Sequence, residues 1–313
     1  MSSHSWVRWL VVLIAILLLN HTAASQEKAK LPPPPTHADV RYGPHPTKNV
    51  LDFWQAESKR PTPLLVSIHH GGFSQGQKFV KADLLQECLA AGISVAAINY
   101  RLTEQAIAPA AFHDSARAVQ FLRHKAREWN IDPKRVAATG GSSGGGISLW
   151  LAFHDDLADP KSDDPVLRQS TRLTCAAVFD AQTSYDPRFI RKLFPGKEVH
   201  KVQNLAQLFR VDLDNLDSLP AEKYKLFEEV SPLTHLSKDD PPVLLSYRRA
   251  FDANVSSINV GIHHPHFGKA LKERMDELKL PCELYADGKR FGEGTPMSTI
   301  DFLTKQFKLG GRD

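Results

Sequence analysis

One segment constrains the fold more than any other. Arg135-Val-Ala-Ala-Thr-Gly-Gly-Ser-Ser-Gly144 begins as an apolar run, meets a cluster of glycine and serine, and continues into the apolar stretch Gly145–Phe153. It reads as a buried strand turning sharply into a helix. Gly140-Gly141-Ser142-Ser143-Gly144 is G-x-S-x-G in the strand–turn–helix setting that a nucleophile elbow requires. A serine hydroxyl is a weak nucleophile at neutral pH. It must be lifted from the core, aimed at a base and set beside N–H donors for the developing oxyanion. A glycine-rich turn that only packs a helix on a sheet is the simpler reading. A dinucleotide turn is disfavoured, because no G-x-G-x-x-G followed by an acidic residue at the next strand end is present.

Around this segment, short apolar runs alternate with helical patterns. Pro63–His69, Ile93–Ile98, Thr174–Phe179, Pro242–Tyr247 and Cys282–Tyr285 read as strands, and Lys81–Ala91, Phe267–Lys279 and Ser298–Phe307 as helices. A further helix is expected to start at Asp114 as its cap. The alternation implies an α/β fold with a mostly parallel sheet covered on both faces, and functional residues beyond the carboxyl ends of the strands. Arg188–Glu229 fits no strand and reads as a helical cap or lid insertion.

The ends of the chain carry other signals. Met1–Arg8 has one basic residue, Trp9–Leu19 is an unbroken apolar run, and Ala23-Ala24-Ser25 is small. This is the layout of a secretory signal peptide over residues 1–25, predicting a secreted or periplasmic protein. The run is short against the roughly 20 residues of a spanning helix, so no stable membrane span is expected after cleavage; an uncleaved anchor is the other reading. Residues 26–41, with four consecutive prolines at 32–35, read as an extended tether, leaving 42–313 as the folded domain. The formal net charge of +4 is too small to imply a nucleic-acid partner. The three cysteines, Cys88, Cys175 and Cys282, sit in apolar segments without metal-site spacing and read as buried free thiols.

A second motif, Ile68-His69-His70-Gly71-Gly72-Phe73, directly follows a predicted strand. A histidine followed by glycines there matches an HGGG-type oxyanion loop, whose backbone N–H groups hold the oxygen of a tetrahedral intermediate. Gly71, Gly72 and the N–H of Ser143 are the expected donors.

With Asn99-Tyr100-Arg101-Leu102 and Asp132-Pro133-Lys134-Arg135, these motifs make the chain resemble the α/β-hydrolase carboxylesterases, nearest the feruloyl- and acetyl-esterase-like proteins related to the hormone-sensitive-lipase group. The likeness is good over roughly residues 42–153 and loose in the last third. It implies an eight-stranded, mainly parallel sheet and ester hydrolysis through an acyl-enzyme, with no cofactor and no metal. The substrate would be a small-molecule or polysaccharide-linked acyl or aryl ester. A peptidase on the same fold ranks lower, since the chain has no room for a propeller domain.

Two departures from that family matter. His70 stands where the family has glycine. The histidine that the family places after the last strand is also missing, because no histidine follows His266. The cluster His263-His264-Pro265-His266 is the alternative source of a base, with His263 and His264 as candidates; structural imidazoles or a metal cluster are the other readings, and His113 is a more distant possibility. Asp252 follows the penultimate predicted strand, where the resemblance places the orienting acid; Asp180 and Asp186 are alternatives. Without a working base the chain would be a catalytically impaired binding protein of the same fold. The sequence leaves the oligomeric state open.

Overall fold

The computed structural model describes residues 32–293 and 297–309. The expected signal peptide and residues 26–31 of the expected tether lie outside the described residues. Residues 37–41, expected within the tether, instead form the first strand. In chain order the strands are β1 (His37–Arg41), β2 (Val50–Trp54), β3 (Thr62–Ile68), β4 (Ser94–Ile98), β5 (Ile131–Gly141), β6 (Cys175–Phe179), β7 (Val243–Tyr247), β8 (Cys282–Ala286) and β9 (Lys289–Arg290). The helices are α1 (Ala82–Ala90), α2 (Ala110–His124), α3 (Ser143–Phe153), α4 (Pro187–Leu193), α5 (Gln203–Phe209), α6 (Ala221–Glu229), α7 (Pro232–His235), α8 (Ile258–Ile262), α9 (His266–Glu277) and α10 (Thr299–Gln306).

They build one sheet in the order β1-β2-β4-β3-β5-β6-β7-β8-β9. From β4 to β8 neighbours run parallel, whereas β1, β2 and β9 pair antiparallel at the edges. Among the described residues the sheet therefore has nine strands rather than the expected eight; the extra one is the two-residue hairpin partner of β8.

Alternation along each strand divides the core. Leu64, Val66 and Ile68 of β3 face the larger apolar cluster, with α2, α3 and α9, while Leu65 faces the smaller one, with α1 and α10. Both faces being covered explains why the parallel strands read as continuous apolar runs. The three cysteines are buried and free, and burial pushes the thiols of Cys88 and Cys175 up to about 12.

One further expectation is corrected. Asp114 does not cap α2, which starts at Ala110; its buried carboxylate instead accepts from the Arg101 backbone N–H (2.9 Å), Nε (2.8 Å) and a terminal guanidinium nitrogen (2.7 Å). That pair anchors the loop after β4. The 188–229 segment is helical, as expected, but in short pieces: most of α4, then α5, α6 and two 3₁₀ turns. Among the described residues no helix is long and apolar enough to cross a membrane.

Candidate active site

Ser142 sits between β5 and α3 with φ 50° and ψ −122°. Few L-residues adopt this conformation, so the surrounding structure must hold it. The Ser142 N–H donates to Phe179 O (2.9 Å), and its carbonyl accepts from Gly146 N–H (2.9 Å). Close packing enforces the turn: a Cβ on Gly144 would lie 2.1 Å from the Ile68 carbonyl oxygen. Only glycine lets α3 start this near β3.

The histidine cluster places one imidazole beside Ser142. His263 Nε2 lies 2.9 Å from Ser142 Oγ, and His263 Nδ1 lies 2.9 Å from the Asn259 carbonyl oxygen. A carbonyl only accepts, so Nδ1 carries the hydrogen and Nε2 of the neutral ring presents a lone pair to the Ser142 hydroxyl. This is the tautomer a general base needs. His263 follows α8, whose first turn is capped by Ser257 Oγ accepting from Val260 N–H. Gln182 Nε2 donates to the Ile262 carbonyl and fixes the preceding residue. Burial is the main force lowering the His263 pKa from its ordinary value, and Arg249 and Arg248 push the same way, against the Asn259 hydrogen bond and the field of Asp180.

His264 is not at the site. It is buried, its Nε2 donates to Ala253 O (3.0 Å) and its ring meets Phe194 edge-on. Its Nδ1 accepts from His266 N–H (3.3 Å). Successive residues point apart, so one histidine serves the serine and the next the core. His113 lies by Trp150 and away from Ser142.

The expected acid is also corrected. Asp252 is exposed and makes no hydrogen bond among the described residues, so a backbone carbonyl takes the place a carboxylate would occupy. Asp186 caps α4, accepting from Arg188 N–H (2.8 Å), and pairs with Arg188. Asp180 lines the cavity, but its carboxylate is engaged by Arg248 N–H (2.9 Å) and Nε (2.5 Å). It contributes a field at His263 rather than a hydrogen bond.

The loop after β3 has positive φ at Gly71 (123°), Gly72 (59°) and Phe73 (64°). Asn204 Nδ2, on α5, donates to Gly72 O and to Ser74 Oγ, both at 3.0 Å, fastening the insertion to this loop. One expectation changes here. The Gly72 N–H is used by Ser143 Oγ (3.0 Å), so in the resting protein it is not a free oxyanion donor. The Ser143 N–H opens α3 and has no intrahelical acceptor. It and the Gly71 N–H are the remaining donors. Asn204 and the Ser143 hydroxyl are contributions that sequence reasoning missed.

Ser142, His263, Gly71 and Gly72 line one cavity of about 800 Å³, together with Lys81, Asp180, Arg248 and Arg249. A hollow of about 850 Å³ elsewhere, beside Arg101 and Asp114, contains no serine, cysteine or threonine and is not a site for this chemistry.

Comparison with known proteins agrees with this fold. The BD-FAE family model matches residues 51–256, ending before His263. The probable carboxylic ester hydrolase LipM of Mycobacterium tuberculosis is 29% identical over 215 residues, covering 67% of this chain and 47% of that protein. Esterase LipQ of the same organism is 24% identical over 211 residues, covering 66% and 46%. The chain thus spans about half the length of these curated relatives. An acetyl ester-xyloside bifunctional hydrolase from Caldicellulosiruptor lactoaceticus has the same fold, with TM-score 0.61, 20% identity and coverage of 90% and 87%. A thermophilic esterase from Thermogutta terrifontis gives TM-score 0.59, 18% identity and coverage of 90% and 93%. With the family match extending over most of the chain and this sheet order around an elbow serine, the protein belongs to the BD-FAE family and has the α/β-hydrolase fold.

Proposed function

We propose that the protein is a serine carboxylic-ester hydrolase working through an acyl-enzyme. The observation that carries this reading is the 2.9 Å approach of Ser142 Oγ to the lone-pair nitrogen of His263. Ser142 Oγ attacks the ester carbonyl as its proton passes to His263 Nε2. The backbone N–H groups of Ser143 and Gly71 stabilise the oxyanion. The imidazolium then protonates the departing alcohol, and water, deprotonated by the same nitrogen, releases the acid. In a Ser–His–Asp triad the carboxylate both fixes the tautomer and stabilises the imidazolium. The Asn259 carbonyl performs the first task and offers only a dipole for the second, so turnover slower than that of a full triad is expected.

The cavity lining sets three cations, Lys81, Arg248 and Arg249, against the one carboxylate of Asp180. That balance favours neutral or anionic acyl and alcohol groups over cationic ones. Small acyl or aryl esters, including those on polysaccharides, fit the size of the cavity and the names of the relatives. The N-terminal apolar run supports export. Release of p-nitrophenol from p-nitrophenyl acetate by the full chain, lost in Ser142→Ala, tests the proposal; equal release by both proteins refutes it. The missing carboxylate favours a second reading, a hydrolase-fold binding protein with an unactivated Ser142, which fluorophosphonate labelling of that serine separates from the first.

A further inference from the structure

The helix that begins at the nucleophile ends at a second cluster. His154 follows α3, Glu229 ends α6 and His235 ends α7. One ligand-type atom from each lies within 4.8 Å of those of the other two. None of the three lines the catalytic cavity.

Backbone carbonyls decide where the ring protons sit. His154 Nδ1 lies 2.8 Å from Asp155 O, and His235 Nε2 lies 2.6 Å from Glu229 O. Both nitrogens must donate, so in the neutral rings His154 Nε2 and His235 Nδ1 are lone pairs. His154 Nε2 stands 3.3 Å from Glu229 Oε1. A lone pair facing a carboxylate is repulsive unless a cation stands between them or a proton sits on the ring. Donation of the far ring N–H to a carbonyl is also how metal-bound histidines are oriented. The indole Nε1 of Trp150 donates to the same Glu229 carbonyl (2.8 Å), and its ring packs 4.3 Å from that of His154, so the backbone beneath the cluster is held.

We propose that His154, Glu229 and His235 form a binding site for a first-row divalent metal ion, with zinc as the best match to two imidazoles and one carboxylate. This is a donor set zinc accepts, with solvent completing the coordination. The bound ion ties the end of the nucleophile helix to the helices on either side of Ser231. It serves stability rather than the reaction, and the inference stands apart from the proposed activity.

Calorimetric titration of the metal-stripped full chain with zinc chloride tests it. One ion per chain at micromolar or tighter dissociation constant is expected, with a Tm that rises with zinc concentration. Glu229→Gln and His154→Gln should each weaken binding at least tenfold, while His263→Ala leaves it unchanged. Should either cluster variant fail to fold, cobalt(II) added to the unaltered protein gives a visible ligand-field spectrum that zinc displaces. No binding overturns the proposal; so does binding that survives both cluster substitutions, or that is lost in His263→Ala.

Discussion

Adjacent histidines with opposite roles give the sharpest prediction. His263→Ala removes the only imidazole in hydrogen-bond reach of Ser142 Oγ among the described residues. A positioned general base contributes roughly 10²–10⁴-fold, or about 3–5 kcal/mol of barrier at 1.36 kcal/mol per tenfold. The variant should lose that much kcat with little change in Tm, because the ring is at a cavity wall and its hydrogen bonds are to the Ser142 hydroxyl and one carbonyl. His264→Ala should do the reverse. It empties a buried site and leaves the Ala253 carbonyl without its donor, at a cost of about 2–4 kcal/mol. For a domain of this size that lowers Tm by roughly 5–10 °C, while kcat, measured well below the melting point, stays within about tenfold. Initial rates on p-nitrophenyl acetate and thermal melts of both variants are the assays. If His264→Ala abolishes turnover in a folded protein while His263→Ala is active, the assignment of the base is wrong.

Other consequences follow from the same geometry. The base must be neutral, and burial lowers the His263 pKa, so kcat/KM should hold as pH falls past 6.5 and decline only as pH passes through the lowered value. Arg249→Gln removes one of the charges lowering it and should move that midpoint upward; a wild-type midpoint above 6.5 counts against the reading. Asn204→Ala releases the insertion from the Gly72 carbonyl and should lower kcat about tenfold with a small change in Tm, since it loosens an oxyanion loop rather than the core. Asp114→Asn should destabilise by about 2–3 kcal/mol in urea unfolding. This is below the cost of breaking a fully buried pair because the Arg101 side chain is about one-third exposed.

The parts of the site written in local chain chemistry were legible in the sequence. The elbow at Ser142 and the loop at Gly71 and Gly72 are dictated by backbone conformations and close approaches that few residues satisfy, so glycine spacing reveals them. The choice between His263 and His264 was not legible. It depends on how a five-residue helix after β7 ends, and a rotation by one residue exchanges the two rings. Asp252 was misplaced for a related reason: acidic residues are common in exposed loops, and no residue type marks a backbone carbonyl such as that of Asn259 doing the orienting. Asp114 looked like a cap because it sits near the start of an apolar periodicity, whereas its partner, Arg101, lies on the loop after β4. The cluster of His154, Glu229 and His235 joins residues 75 and 6 positions apart, so no motif spacing announces it. β1 was hidden by the prolines before it; what makes it a strand is the edge of β2, a partner distant from that composition.

The central claim is that Ser142 is an activated nucleophile although no carboxylate bonds its histidine. Labelling by a fluorophosphonate, located by peptide mass spectrometry, measures activation independently of substrate choice. The account predicts stoichiometric modification of Ser142 in the unaltered chain, none at that position in Ser142→Ala, and labelling slowed at least about 100-fold in His263→Ala. Absence of labelling, or equal rates with and without His263, would contradict it and leave a binding protein on a hydrolase fold.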